Sequence, residues 1–273
     1  MMKRVDPTIE LSAAALADYD AVMAYTNQIP DIVNRVRGLL TAMGLDKKVK
    51  IAFDEWNLRG WHHPNIHTTY QGLSKEEYLD PRDENDDNTK YTMADAVFSA
   101  CFLNMCGRNS DIVGMANFAP IVNTRGCIYT YDKGIVLRST YHVFDLYVNY
   151  LGDLALDGWL YGEEQTMVVK SKEGEVYTIN TLDILPTYDS KNDMYSLAIV
   201  NKSADKNQQL MIEAMDTSLS EYRIVTVNGN STEAYNDINH TGVSLLIPII
   251  SWGFSYHFLE YCGEVRKIIK ANS

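Results

Sequence analysis

The chain is short of basic charge, short of cysteine and without a long apolar run. Its 273 residues carry 24 Lys and Arg against 36 Asp and Glu, a net charge of −12. That balance argues against nucleic acid and against an anionic membrane surface, since both need a basic face. It suits a neutral substrate. Only four cysteines occur, Cys101, Cys106, Cys127 and Cys262, and none form a C-x-x-C pair. Reduced, mostly buried thiols are expected, with no disulfide framework and no metal site built on them. Leu245 to Trp252 is the longest apolar patch. It falls well short of the ~18 residues a membrane helix needs. No H-E-x-x-H spacing accompanies His62, His63 and His67, so the expected metal count is none. The acidic run Asp83, Glu84, Asp86 and Asp87 lacks a calcium loop's glycine, and Ala94 stands at its twelfth position. It reads as a solvated loop. No cofactor motif is present. The expected compartment is the cytoplasm; the lack of a signal-peptide pattern does not bear on it, because loss of the first part of a longer protein would remove any leader.

What is present is ordinary globular composition, 46% hydrophobic and 22% charged, enough for a sizeable core. Its most informative stretch is Val49-Lys50-Ile51-Ala52-Phe53-Asp54-Glu55-Trp56-Asn57. A short buried strand over 49–53 runs straight into two carboxylates, an indole and an amide. Alternation along a strand sends Asp54 and Glu55 to opposite sides. Carboxylates at the C-terminal end of a parallel strand are where α/β barrels place their chemistry. An aromatic beside them suits a sugar.

Around that stretch, Leu11 to Met43 has helical spacing, with Ser12 as a cap, Pro30 as a divider and Gly44 as a stop. Arg59 to Asn88 is a long polar loop, a length that favours a functional lid or disorder. Met93 to Arg108 is a helix of small and apolar residues, and Ile112 to Phe118 a second buried strand. The loop Pro120 to Tyr131 follows, then a helix over 136–150. Helices and strands alternate, which predicts parallel strands with crossover helices. Near Gly152 the character changes. Short alternating segments at 165–170, 176–182, 195–201, 209–213, 222–227 and 242–250, separated by turn signals such as Asn228-Gly229-Asn230, predict an antiparallel β-sandwich.

Phe53-Asp54-Glu55-Trp56-Asn57, the helix at 93–108, Met115-Ala116-Asn117-Phe118-Ala119-Pro120-Ile121-Val122-Asn123 and Leu197-Ala198-Ile199-Val200-Asn201-Lys202 occur in one order. Together they resemble the C-terminal portion of glycoside hydrolase family 51, the α-L-arabinofuranosidases, from about residue 15 to about residue 245. The resemblance implies α/β plus all-β architecture: the C-terminal part of a (β/α)8 TIM barrel, about two βα units, followed by an antiparallel β-sandwich. Residues 1–146 would hold strands 7 and 8 with flanking helices, and 147–273 the sandwich. It further implies retaining removal of terminal α-L-arabinofuranosyl residues from arabinose-containing oligosaccharides or polysaccharides. Glu55 maps to the nucleophile. Beside that mapping, the residues themselves offer Asn57 at the strand end, Trp61 as a shifted aromatic on the leaving-group side and Asn123 after the second strand as substrate-binding residues.

Two departures matter. The family's acid/base glutamate lies in an Asn-Glu pair at the end of strand 4, and no such strand end precedes residue 49. The tail from Ile249 to Ser273 lacks the expected closing strand. The chain is therefore expected to be a fragment or one piece of a split enzyme, weakly active or inactive alone. A homo-oligomer or a complementing N-terminal chain would complete it. Two other readings stand: a non-catalytic carbohydrate-binding or scaffold remnant, and a related retaining hydrolase such as a β-xylosidase or endoglucanase.

Overall fold

The computed structural model describes residues 18–58, 86–161, 166–171, 174–208, 210, 212–213 and 222–246, with strand backbone at 265–266 and 270–272. Ser12, Trp61, the three loop histidines and Cys262 lie outside the described residues.

Helix α1 spans Tyr19–Ala42. Its cap is Asp18, whose carboxylate accepts the Asp20 N–H at 3.1 Å. Pro30 lies inside the helix and does not divide it. Burial explains this: Ala21, Val22, Met23 and Ala24 before the proline and Ile29 and Val33 after it share one core cluster. Their packing offsets the ~3 kcal/mol an interior proline costs. Gly44, at φ +67°, ends the helix as expected, with Leu45 N–H bonded to Leu40 O at 2.8 Å.

Strands β1 (Ile51–Trp56) and β2 (Val113–Phe118) pair in parallel, joined through helix α2 (Met93–Arg108). The α2 bounds match the apolar run in the sequence. Asp95 closes its first turn by accepting the Thr92 N–H at 2.9 Å. Strands β3 (Ile128–Tyr131) and β4 (Gly134–Leu137) form a hairpin where the sequence suggested loop and the start of a helix. Helix α3 then covers only Ser139–Tyr150.

The remainder is antiparallel. Strands β5 (Leu154–Ala155), β6 (Thr166–Lys170), β7 (Val176–Asn180), β8 (Leu182–Asp189), β9 (Met194–Asn201), β10 (Tyr222–Arg223), β11 (Thr226–Gly229), β12 (Asn236–Asp237), β13 (His240–Thr241), β14 (Val243–Leu246), β15 (Val265–Arg266) and β16 (Lys270–Asn272) follow. Eight of them form one sheet centred on β9, which pairs with β8 along one edge and with β15 and β16 along the other. The expectation that the tail lacks a closing strand is overturned, since β15 and β16 sit inside this sheet. β8 was also unforeseen, because Pro186 interrupts its pattern. Pro186 instead offers its carbonyl to Leu156 N–H at 2.9 Å. β6 and β7 form a separate hairpin.

One hydrophobic cluster runs through both halves, from Val22 and Val33 through Val97 and Phe102 to Val143, Val200 and Val227. A polar clamp ties α2 to β8: Asp183 accepts from Asn104 Nδ2 and Arg108 Nη1, each at 2.7 Å, and Tyr147 Oη donates to Asn104 Oδ1 at 2.6 Å. Burial pushes the Tyr147 phenol and the Cys101 thiol up, and Cys106 up to about 12. These thiols are inert packing groups. No helix among the described residues is long and apolar enough to cross a membrane.

Candidate active site

β1 places the carboxylates through an irregularity that strict alternation does not foresee. Phe53 aligns with Ala116 and Trp56 with Phe118, so three steps on β1 match two on β2. The extra residue is a bulge at Asp54 and Glu55. Both side chains are exposed, whereas Phe53 is half-buried and Trp56 is buried. Trp56 turns inward, its ring 4.2 Å from Phe102 and edge-on to Phe118 at 5.0 Å. It is a core residue.

Ala52, Asp54, Gly114, Met115 and Asn117 are all exposed. Among the described residues no further strand pairs with β1 or β2. Among the described residues each strand therefore has one unpaired edge.

Glu55 is met by Arg125, whose Nη2 donates to Glu55 Oε1. The Arg125 side chain is only 10% exposed and Glu55 is 55% exposed. Burial pushes the Arg125 guanidinium down, while Glu55 and Tyr91 push it back up. Asn57 Nδ2 donates to the carbonyl of the same Arg125 at 2.9 Å. Strand end and loop are thus joined twice.

The loop is held in an unusual shape. Asn123 and Thr124 sit at φ 57° and 44°. Left-handed backbone is rare outside glycine, most of all for β-branched Thr, and costs on the order of 1–3 kcal/mol per residue. Gly126 is required by close approach: a Cβ there would stand 2.5 Å from the carbonyl carbon of Ile121. Side chains converge to hold this shape. Asp86 Oδ1 accepts Thr124 N–H at 2.7 Å, and Tyr91 Oη donates to Thr124 O at 2.9 Å. Arg138, with 0% exposure, donates to Thr124 O, to Gly126 O at 2.9 Å and to Asn88 Oδ1 at 2.8 Å, and lies 3.7 Å over the Tyr91 ring. Asp87 caps the short turn at Asn88–Lys90 through Thr89 N–H at 3.0 Å. The C-terminal half of the acidic run is therefore built into the fold, not a solvated loop.

The sequence-expected residues fare differently. Glu55 and Asn57 meet at one strand end. Asn123 is half-buried in the turn, with its Oδ1 taking Thr130 N–H at 2.8 Å and Thr130 Oγ1 at 2.9 Å. Trp61 lies outside the described residues. Arg125 and Arg138 were missed. Their only sequence signal is a lone cation among turn residues, Asn123-Thr124-Arg125-Gly126, and an arginine where a helix cap prefers a small polar residue.

Comparison with known proteins places this geometry. Residues 54–245 match the family model described as the α-L-arabinofuranosidase C-terminal domain. The chain is 28% identical over 191 residues to a probable α-L-arabinofuranosidase C of Aspergillus clavatus, covering 68% of this chain and 33% of that protein. It is 24% identical over 207 residues to an intracellular exo-α-L-arabinofuranosidase of Bacteroides ovatus, covering 73% and 35%. The α-L-arabinofuranosidase of Thermotoga maritima, solved as an arabinose complex, aligns with a TM-score of 0.71 at 20% identity, over 94% of this chain and 50% of that one. The family 51 enzyme of Thermotoga petrophila gives 0.69 at 20%, over 91% and 49%. These two show a shared fold. The chain spans about a third of the curated relatives' length.

Proposed function

The chain belongs to the family 51 α-L-arabinofuranosidases as their C-terminal domain, and from that membership we propose that it carries the nucleophile of a retaining glycosidase. Glu55 attacks the anomeric carbon of a terminal α-L-arabinofuranosyl residue of an arabinose-containing oligosaccharide or polysaccharide. β1 and β2 are strands 7 and 8 of a (β/α)8 barrel, and 147–273 form the C-terminal β-sandwich domain. Asn57, Trp61 and Asn123 are the candidate substrate-binding residues, with the Asn57 amide also bracing the strand end. The compartment is the cytoplasm. The observation that carries this reading is Glu55 itself: an exposed carboxylate on a bulge at the C-terminal end of a parallel strand, with a buried cation against one oxygen.

The chemistry needs a second carboxyl about 5–5.5 Å from the first. Among the described residues Asp54 adjoins Glu55 on the strand but belongs to the bulge itself, so the acid/base group comes from elsewhere. The unpaired edges of β1–β2 agree with further barrel strands, supplied by a complementing N-terminal chain or a longer polypeptide. Without the proton shuttle, turnover of an ordinary glycoside should fall by ~10²–10⁴ or more.

An aryl glycoside with a good leaving group bypasses that loss in one half of the reaction. With 2,4-dinitrophenyl α-L-arabinofuranoside, Glu55 forms the C–O bond as dinitrophenolate departs with its electron pair and needs no proton. Hydrolysis of the resulting ester then lacks its base. A burst of dinitrophenolate with one arabinosyl adduct per chain at Glu55, seen by intact mass and peptide mapping, is expected. No adduct, or the same adduct in Glu55→Gln, would refute the assignment. Binding of arabino-oligosaccharides without any burst would favour the carbohydrate-binding reading, and a faster burst from a xylosyl or glucosyl probe a hydrolase of another sugar.

A further inference from the structure

We infer that Arg125 is the positioning residue of Glu55: it pins Oε1 and thereby leaves Oε2 as the attacking atom. This rests on the reading of Glu55 as nucleophile. A glutamate side chain more than half exposed at a strand end samples several rotamers, and ordering it costs free energy at the moment of reaction. The cation that orders it is itself immobile. Its side chain is 10% exposed, its backbone carbonyl is gripped by Asn57, and the residues on either side, Thr124 and Gly126, are held by Asp86, Tyr91 and Arg138. A loop needed only to connect β2 to β3 has no call for two left-handed non-glycine residues in succession. Their effect is to deliver one guanidinium to one carboxylate oxygen.

The direction of the contact matters for the chemistry. Oε1 takes the charge-assisted bond from Nη2, and among the described residues Oε2 has no hydrogen-bond partner. When Oε2 bonds to the anomeric carbon and the leaving group departs with its electron pair, Oε1 becomes the ester carbonyl. The Arg125 bond then stays on the same atom throughout.

Two measurements on the whole chain test this. Carbodiimide-driven coupling of glycine ethyl ester, read residue by residue by mass spectrometry, should modify Glu55 several-fold faster in Arg125→Ala, with Asp54 next door unchanged. Arg125→Lys should fall between. Adduct formation with 2,4-dinitrophenyl α-L-arabinofuranoside should slow by roughly 10- to 100-fold in Arg125→Ala, the worth of a hydrogen bond to a charged group. The half-saturating concentration should stay the same, and Arg125→Lys or added guanidinium should recover part of the rate. Equal modification of Glu55 in both proteins, or a parallel rise at Asp54, overturns the proposal. So does an adduct rate within twofold of the parent. A footprint that changes while neither protein forms an adduct sinks the nucleophile reading first, and the positioning role with it.

Discussion

The two sheets at the heart of the molecule differ in how far they are finished. The eight-stranded antiparallel sheet has β9 paired on both edges, with Val200 fully buried among helix residues. Among the described residues the β1–β2 pair has no further strand on either edge, and Met115 on it is 44% exposed. The first satisfies its own backbone and burial needs. The second satisfies half of them, and the unfinished half is where the carboxylates are.

That contrast can be broken or sharpened, and the largest effect should come from Arg138. Replacing it with Met takes the Arg138 donor from Gly126 O and Asn88 Oδ1 in a buried site, at about 1–3 kcal/mol each, and leaves Thr124 O only its Tyr91 bond. A loss of roughly 3–5 kcal/mol in urea unfolding is expected. A single transition would show that the loop and both sheets unfold together, as the continuous core implies. Two transitions would show that the β1–β2 half stands apart. Next, Met105, 2% exposed beneath the finished sheet, should cost about 2–5 kcal/mol on truncation to Ala. Met115→Lys, at an exposed position on β2, should change stability by no more than about 0.5 kcal/mol. A large loss at Met115 would mean that something covers that residue in the chain as it exists.

The smallest effect concerns pH. His142 is depressed below its ordinary range, first by burial, with Asp145 opposing. Asn236 Nδ2 faces its Nε2 at 3.4 Å and Tyr141 packs edge-on. The unfolded chain therefore takes up the proton first as pH falls. Above the unfolded value near 6.5 His142 contributes nothing; below it, stability is lost until the folded value is reached. The drop in Tm between pH 7.5 and 5.5 should be smaller in His142→Gln. An identical slope would place the pH sensitivity elsewhere.

How much of this was legible depends on whether the information was local. Helix α2 was readable residue by residue, because an unbroken run of small and apolar positions follows a Thr-x-x-Asp capping pair. Gly44 as a stop was legible for the same reason. The bulge at Asp54 and Glu55 was not, since it is a mismatch with β2 some sixty residues away. β8 hid behind Pro186, whose fault in the pattern is harmless only because its carbonyl, not its absent N–H, meets Leu156. Continuity of α1 through Pro30 likewise needed the core on both sides of the proline.

Composition and local pattern by themselves settled that this is an acidic chain of helices and parallel strands followed by antiparallel strands, and singled out the Glu-Trp-Asn strand end as the candidate site. Only the tertiary structure decided which carboxylate meets a cation, which tryptophan is core, and where the tail strands insert. The physical reason is range. Propensity and periodicity act within a turn or a strand, whereas a bulge, an ion pair and a sheet order are contacts between segments that the chain must fold to bring together.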